Sequence, residues 1–125
     1  MEIYMKKATN STPKILGNVT EGTLAISGRC YPEDSQSFFA SLNSWLEHFY
    51  QTENPVIHVL FDLEYMNTSA GTVMAQMLKR LTILSDDKKI KVEWRYDNED
   101  LDMKDMGESF NLLYGEMVTL IPKTI

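Results

Sequence analysis

The chain has 125 residues, 43% of them hydrophobic, and a formal net charge of −6, which suits one domain with a core of its own. The acidic balance excludes a non-specific nucleic-acid binder, which needs clustered Lys and Arg against phosphate. With Cys30 as the only cysteine, neither an intramolecular disulfide nor a thiolate zinc site can form, and no apolar run approaches the roughly 20 residues of a membrane span.

The start, Met1-Glu2-Ile3-Tyr4-Met5-Lys6-Lys7, lacks the apolar core of a signal peptide. The expectation is therefore a single cytoplasmic domain over residues 1–125 with no membrane insertion. Residues 1–12 read as a polar lead with room for a strand at its start. Lys14-Ile15-Leu16-Gly17 and the run from Gly22 to Gly28 are two strands, joined by the turn-rich Asn18 to Gly22 as an antiparallel hairpin. Leu24 and Ile26 alternate with Thr23, Ala25 and Ser27, so one face is buried.

Tyr31-Pro32-Glu33-Asp34-Ser35 opens a helix with Asp34 or Ser35 as N-cap. Phe38, Phe39, Leu42, Trp45, Leu46 and Phe49 follow helical spacing and form its core stripe. The helix ends near Gln51. After Pro55, the run Val56 to Leu63 reads as a strand buried on both faces of a mostly parallel sheet. Past a turn, Val73, Met74, Met77, Leu78, Leu81 and Leu84 mark a helix with one buried face.

Ile90 to Tyr96 alternates apolar with charged residues, as a half-exposed strand does. Asp97-Asn98-Glu99-Asp100 starts a third helix that buries Leu101 or Met103, Met106, Phe110 and Leu113, with Gly107 weakening its middle. Met117 to Ile121, stopped by Pro122, is the last strand. The order β-β-α-β-α-β-α-β describes an α/β domain with a mixed sheet, a leading hairpin and three helices.

Few residues point to catalysis. Asp62 and Glu64 lie two apart near the end of the central strand, as a general acid/base pair would, but carboxylates there are commonly solvated or cap the next turn. His48 and His58, the latter in a buried-looking strand, have no ligand partner at metal-binding spacing and read as structural. No nucleophile elbow, Walker loop or dinucleotide loop occurs. No cofactor or metal is expected. The acidic cluster Asp97, Glu99, Asp100, Asp102 and Asp105 reads as a solvated helix face, with a docking patch for a basic partner as the alternative.

Asn67-Thr68-Ser69 lies where open α/β folds place their sites, at the carboxyl end of a central strand and the start of a helix. One reading is an N-cap. The other is a phosphorylation switch, since a phosphate brings about −1.5 to −2 charges to a place that the helix dipole tolerates. The residues alone leave both open.

Four motifs in order, Ser11-Thr12-Pro13, Tyr31-Pro32-Glu33, Tyr65-Met66-Asn67-Thr68-Ser69 and Trp94-Arg95-Tyr96-Asp97, resemble the SiaC family of regulatory phosphoproteins over most of the chain. The layout is also similar to the STAS domain of anti-sigma factor antagonists, so the resemblance implies a STAS-like fold. It further implies a non-enzymatic switch served by a Ser/Thr protein kinase and a PP2C-type phosphatase. The unphosphorylated form would activate a diguanylate cyclase and so cyclic-di-GMP synthesis. Carried onto this chain, the acceptor is Thr68, with Ser69 as the alternative; Asp62, Glu64, Tyr65, Asn67, Ser69 and Thr72 join Thr68 in partner binding. Met66 stands where the family motif often has Leu, and Ala70 where it often has a second Ser. The rival readings are an anti-anti-sigma factor binding an anti-sigma kinase, and a small enzyme using Asp62 and Glu64.

Overall fold

The computed structural model describes residues 2–124; Met1 and Ile125, the two ends of the expected domain, lie outside the described residues. In chain order the elements are β1 (Ile3–Lys6), β2 (Lys14–Asn18), β3 (Thr23–Cys30), α1 (Ser35–Tyr50), β4 (Val56–Met66), α2 (Thr68–Leu84), β5 (Lys89–Asp97), α3 (Leu101–Tyr114), a 3₁₀ turn (Gly115–Met117) and β6 (Val118–Lys123). The six strands form one sheet in the order β1-β2-β3-β4-β5-β6. β1, β2 and β3 pair antiparallel, and β3 to β6 pair parallel. This is the mixed α/β sheet expected, with the lead supplying a strand ahead of the hairpin.

The core lies on one side of the sheet. The register stacks Ile15, Ile26, Phe61 and Trp94 in one row across β2 to β5, and Leu24, Val59, Val92 and Val118 in the next; all are buried. Trp45 of α1 packs over Gly17, where a Cβ would come within 2.4 Å of its ring. Trp94 of β5 packs under Gly107 of α3, where a Cβ would come within 2.4 Å of Trp94 Cδ1. The helices therefore cover the face that carries these rows. The opposite row, Leu16, Ala25, Leu60, Glu93 and Thr119, is exposed or half-exposed.

This corrects the expectation for the central strand. Val56 to Leu63 is buried on one face only, with His58, Leu60 and Asp62 half-buried on the other. A continuous apolar run suggests two covered faces, but three helices on one side leave the second face open. His58 is accordingly not buried; its Nε2 lies 2.9 Å from Glu93 Oε2.

Two further corrections concern the carboxyl-terminal third. Of the stripe expected on α3, Met103 rather than Leu101 is buried, as is Phe110, and Met106 is half-buried, but Leu113 is 71% exposed. β6 runs through Pro122 to Lys123. An edge strand pairs on one side only, so a missing N–H need not break its ladder. Among the described residues no helix is long and apolar enough to cross a membrane.

Candidate functional site

The site is built at the junction of β4 and α2. β3 and β4 keep register up to Gly28 and Leu63, then slip so that Arg29 faces Tyr65 and Cys30 faces Met66. Glu64 is the extra residue of this bulge, which shifts the inward alternation from Tyr65 to Met66. Met66 is buried and Tyr65 is 55% exposed, its ring edge-on to Tyr31 with centroids 5.3 Å apart. The Asn67 N–H donates to Cys30 O at 3.0 Å, which carries the β3–β4 ladder to the first residue of the turn.

Asn67 has extended backbone (φ −79°, ψ 170°) and caps α2. Its Oδ1 accepts from the Ala70 N–H at 2.9 Å and from Ser69 Oγ at 3.2 Å. Its Nδ2 donates to Pro32 O at 3.3 Å. One side chain thus satisfies an orphan amide of α2 and ties the turn to the segment before α1.

The two hydroxyls differ in environment. Ser69 Oγ lies 2.8 Å from Oγ of Ser35, a buried residue at the first position of α1. Thr68 is exposed, and among the described residues its hydroxyl has no hydrogen-bond partner; its carbonyl accepts from Thr72 Oγ1 at 3.3 Å. Because β3 and β4 are adjacent and parallel, the helices that follow them start side by side. Both positive dipole ends then meet where the Ser35–Ser69 contact joins them.

The remaining sequence candidates divide. Thr72 is exposed one turn after Thr68, and Glu64 and Tyr65 occupy the bulge beside the turn. Glu64 lies 3.4 Å from Arg29 Nε. Asp62 is not part of this group, because it faces the open side of the sheet and pairs with Lys123. The two carboxylates are thus each engaged by a different cation. Sequence reasoning missed Ser35 and Pro32 as partners of the turn; the only signal was Ser35 as a capping residue, and its contact with Ser69 depends on strand order.

Cys30 contributes its carbonyl and not its thiol. Burial pushes that thiol up to about 12, since the thiolate would have to form away from water. Among the described residues no three His, Cys, Asp or Glu side chains converge as a metal site requires.

Comparison with known proteins follows from this geometry. Residues 6–122 match the family model described as SiaC family regulatory phosphoprotein. An uncharacterized protein of Pseudomonas aeruginosa (strain UCBPP-PA14) is 29% identical over 103 residues, 82% of each chain. Apo-SiaC from Pseudomonas aeruginosa is 26% identical with a TM-score of 0.87, covering 96% of this chain and 98% of that one. The SiaC structure in complex with the diguanylate cyclase SiaD, whose activator it is, also from Pseudomonas aeruginosa, is 25% identical with a TM-score of 0.88, covering 96% and 99%.

Proposed function

Because the chain belongs to the SiaC family of regulatory phosphoproteins, we propose that it is a non-enzymatic cytoplasmic switch whose phosphorylation at Thr68 controls binding to a diguanylate cyclase. The unphosphorylated form binds and activates the cyclase, a Ser/Thr kinase adds the phosphate, and a PP2C-type phosphatase removes it. The observation that carries the choice of acceptor is the contrast between the two hydroxyls: Thr68 is exposed at the first position of α2 with no hydroxyl partner among the described residues, while Ser69 is held between Ser35 and Asn67.

The physics of the switch is local. A phosphate on Thr68 sits at the amino end of α2, where the dipole and free amides favour negative charge, so the domain stays folded. A partner surface matched to a neutral hydroxyl must then desolvate a dianion. Asn67, Ser69, Thr72, Glu64 and Tyr65 surround the acceptor and form the surface read by kinase and cyclase. Asp62 contributes at most indirectly, since Lys123 holds it on the open face.

The cyclase reading is favoured over an anti-sigma kinase as effector by the relative that forms a complex with SiaD. The separate engagement of Asp62 and Glu64 weighs against an enzyme built on them. To test the assignment, the chain is incubated with ATP and the Ser/Thr kinase of the same host and the phosphate is mapped. Phosphate on Thr68 is the expected result; phosphate confined to any other residue overturns the site.

A further inference from the structure

The outer edge of β1 is complementary to itself, and we propose that two copies of the chain pair there, β1 antiparallel to β1 about a two-fold axis at Tyr4. β1 and β6 are the two edges of the sheet, and an edge offers unpaired N–H and C=O groups to another strand. On β6 the ladder is interrupted by Pro122, which has no N–H to give. β1, Ile3-Tyr4-Met5-Lys6, has no proline. Its lysine does not guard the edge either, because Lys6 Nζ is drawn back over the Phe38 ring, 4.4 Å from the centroid.

The existing ladder decides which groups are on offer. The Val19 N–H donates to Glu2 O at 2.8 Å, and the antiparallel register then runs through Tyr4 opposite Gly17 and Lys6 opposite Ile15. Bonding alternates along an antiparallel strand, so Glu2, Tyr4 and Lys6 turn their backbone groups to β2 while Ile3 and Met5 turn theirs outward. A two-fold axis at Tyr4 sets Ile3 opposite Met5 of the second copy and Met5 opposite its Ile3. All four outward N–H groups then find a carbonyl.

The side chains select the same register. Ile3 and Met5 stand on the open face of the sheet, 57% and 68% exposed, and each meets the other's counterpart across the axis. On the helix side Tyr4, whose hydroxyl lies 2.7 Å from Ser41 Oγ, meets the second Tyr4. Glu2 of each copy falls opposite Lys6 of the other, a cross-strand pair of opposite charge. Among the described residues neither Glu2 nor Lys6 belongs to an ion pair within one copy. Other acids are unpaired too, but these two are placed against an opposite charge by the backbone register. Sliding the strands by two residues in either direction loses both Ile3–Met5 pairs and both Glu2–Lys6 pairs.

The helices leave room for this contact. α1 lies over β2, where Trp45 covers Gly17, so the two α1 helices stand three strand spacings apart, about 14 Å, beyond the 8–10 Å of packed helices. A cleft of about 310 Å³ lined by Tyr4, Ser41, Ser44, Trp45 and His48 lies along this side of α1, and the second copy's Tyr4 projects toward it. Thr68 follows β4, three strands from the axis, so the switch stays open on both copies. A contact confined to Glu2–Lys6 is far smaller than the roughly 20–30 residues a side of a stable complex. The dimer is therefore weak, with Kd on the order of 100 μM.

Sedimentation velocity of the full chain over roughly 10–500 μM reads the association, and the mean sedimentation coefficient should rise toward the dimer. Met5→Pro removes an outward N–H from each copy and none from the β2 ladder; it should stay monomeric throughout, with folding checked by circular dichroism. Glu2→Lys and Lys6→Glu should each weaken self-association about tenfold. An equimolar mixture of the two should associate again as the wild type does, because a strand with Lys at both positions then meets one with Glu at both. This mixing experiment decides the register even where Met5→Pro fails to fold. A wild-type chain that is monomeric across the range overturns the proposal. Association that survives Met5→Pro, or a mixture no tighter than its components, also overturns it, since either puts the contact elsewhere.

Discussion

Gly107→Ala gives opposite expectations from the sequence and from the packing, so it discriminates between them. In an exposed helix interior the substitution stabilises by about 0.8–1 kcal/mol. Here the added Cβ would lie 2.4 Å from Trp94 Cδ1 and 2.8 Å from its Nε1, against the ~3.5–4.0 Å that carbon atoms prefer. Trp94 cannot tilt aside freely. It is fully buried between Phe61 and Phe110, and its Nε1–H donates to Met103 O at 2.9 Å. Overpacking of this kind costs about 1–3 kcal/mol, and loss of the buried indole hydrogen bond adds about 1 kcal/mol. Set against the propensity gain, the net is a destabilisation of about 2 kcal/mol. At roughly 3–6 °C per kcal/mol for a domain of this size, Tm falls by roughly 6–12 °C. Denaturant unfolding followed by tryptophan fluorescence reads the effect; a variant as stable as the wild type, or more stable, refutes the packing argument.

Other perturbations probe the site and the core. Asn67→Ala removes the α2 cap and the tie to Pro32; it should cost about 1–2 kcal/mol, measured by urea unfolding. Ser69→Ala should retain kinase-dependent phosphate and Thr68→Ala should lose it, checked by intact-mass spectrometry. Cys30 should resist iodoacetamide at pH 8 in the folded chain and react once it is unfolded, because burial holds its thiol near 12 instead of the ordinary 9.0. The same shift sets a sign for stability. Below pH 9 the thiol is protonated in both states; between 9 and 12 only the unfolded chain ionises, so stability falls as pH rises through this window. Tyr50, raised from 10.0 to about 12 by burial, acts in the same direction, and Cys30→Ala should flatten the decline in urea midpoint above pH 9.

Much of this molecule was legible where local pattern and tertiary need agree. The α1 stripe from Phe39 to Phe49 is buried, and Asp34 caps the helix. The strand, turn and helix around Asn67 follow from β-branched residues, a capping residue and a 3.6-residue period. The errors arise where a second element decides. Periodicity cannot tell whether the far side of Val56 to Leu63 is covered, because that depends on how many helices the whole chain supplies. Gly107 looks like a weak point of α3 until Trp94 is placed beneath it. Leu113 keeps the helical spacing, yet α3 runs on beyond the reach of the core and leaves it exposed. At the site, Asn67, Thr68 and Ser69 were visible as a group, but the residues alone could not distinguish the hydroxyls of Thr68 and Ser69. That distinction comes from Ser35, 34 residues away, brought alongside by the parallel pairing of β3 and β4.

The central claim is most directly tested by cyclase output. With the host's diguanylate cyclase at fixed concentration, the unphosphorylated chain should raise cyclic-di-GMP synthesis, and the chain carrying phosphate on Thr68 should not. Thr68→Ala should remain an activator after kinase treatment. Equal activation by the phosphorylated and unphosphorylated chains, or activation by neither, would contradict the account.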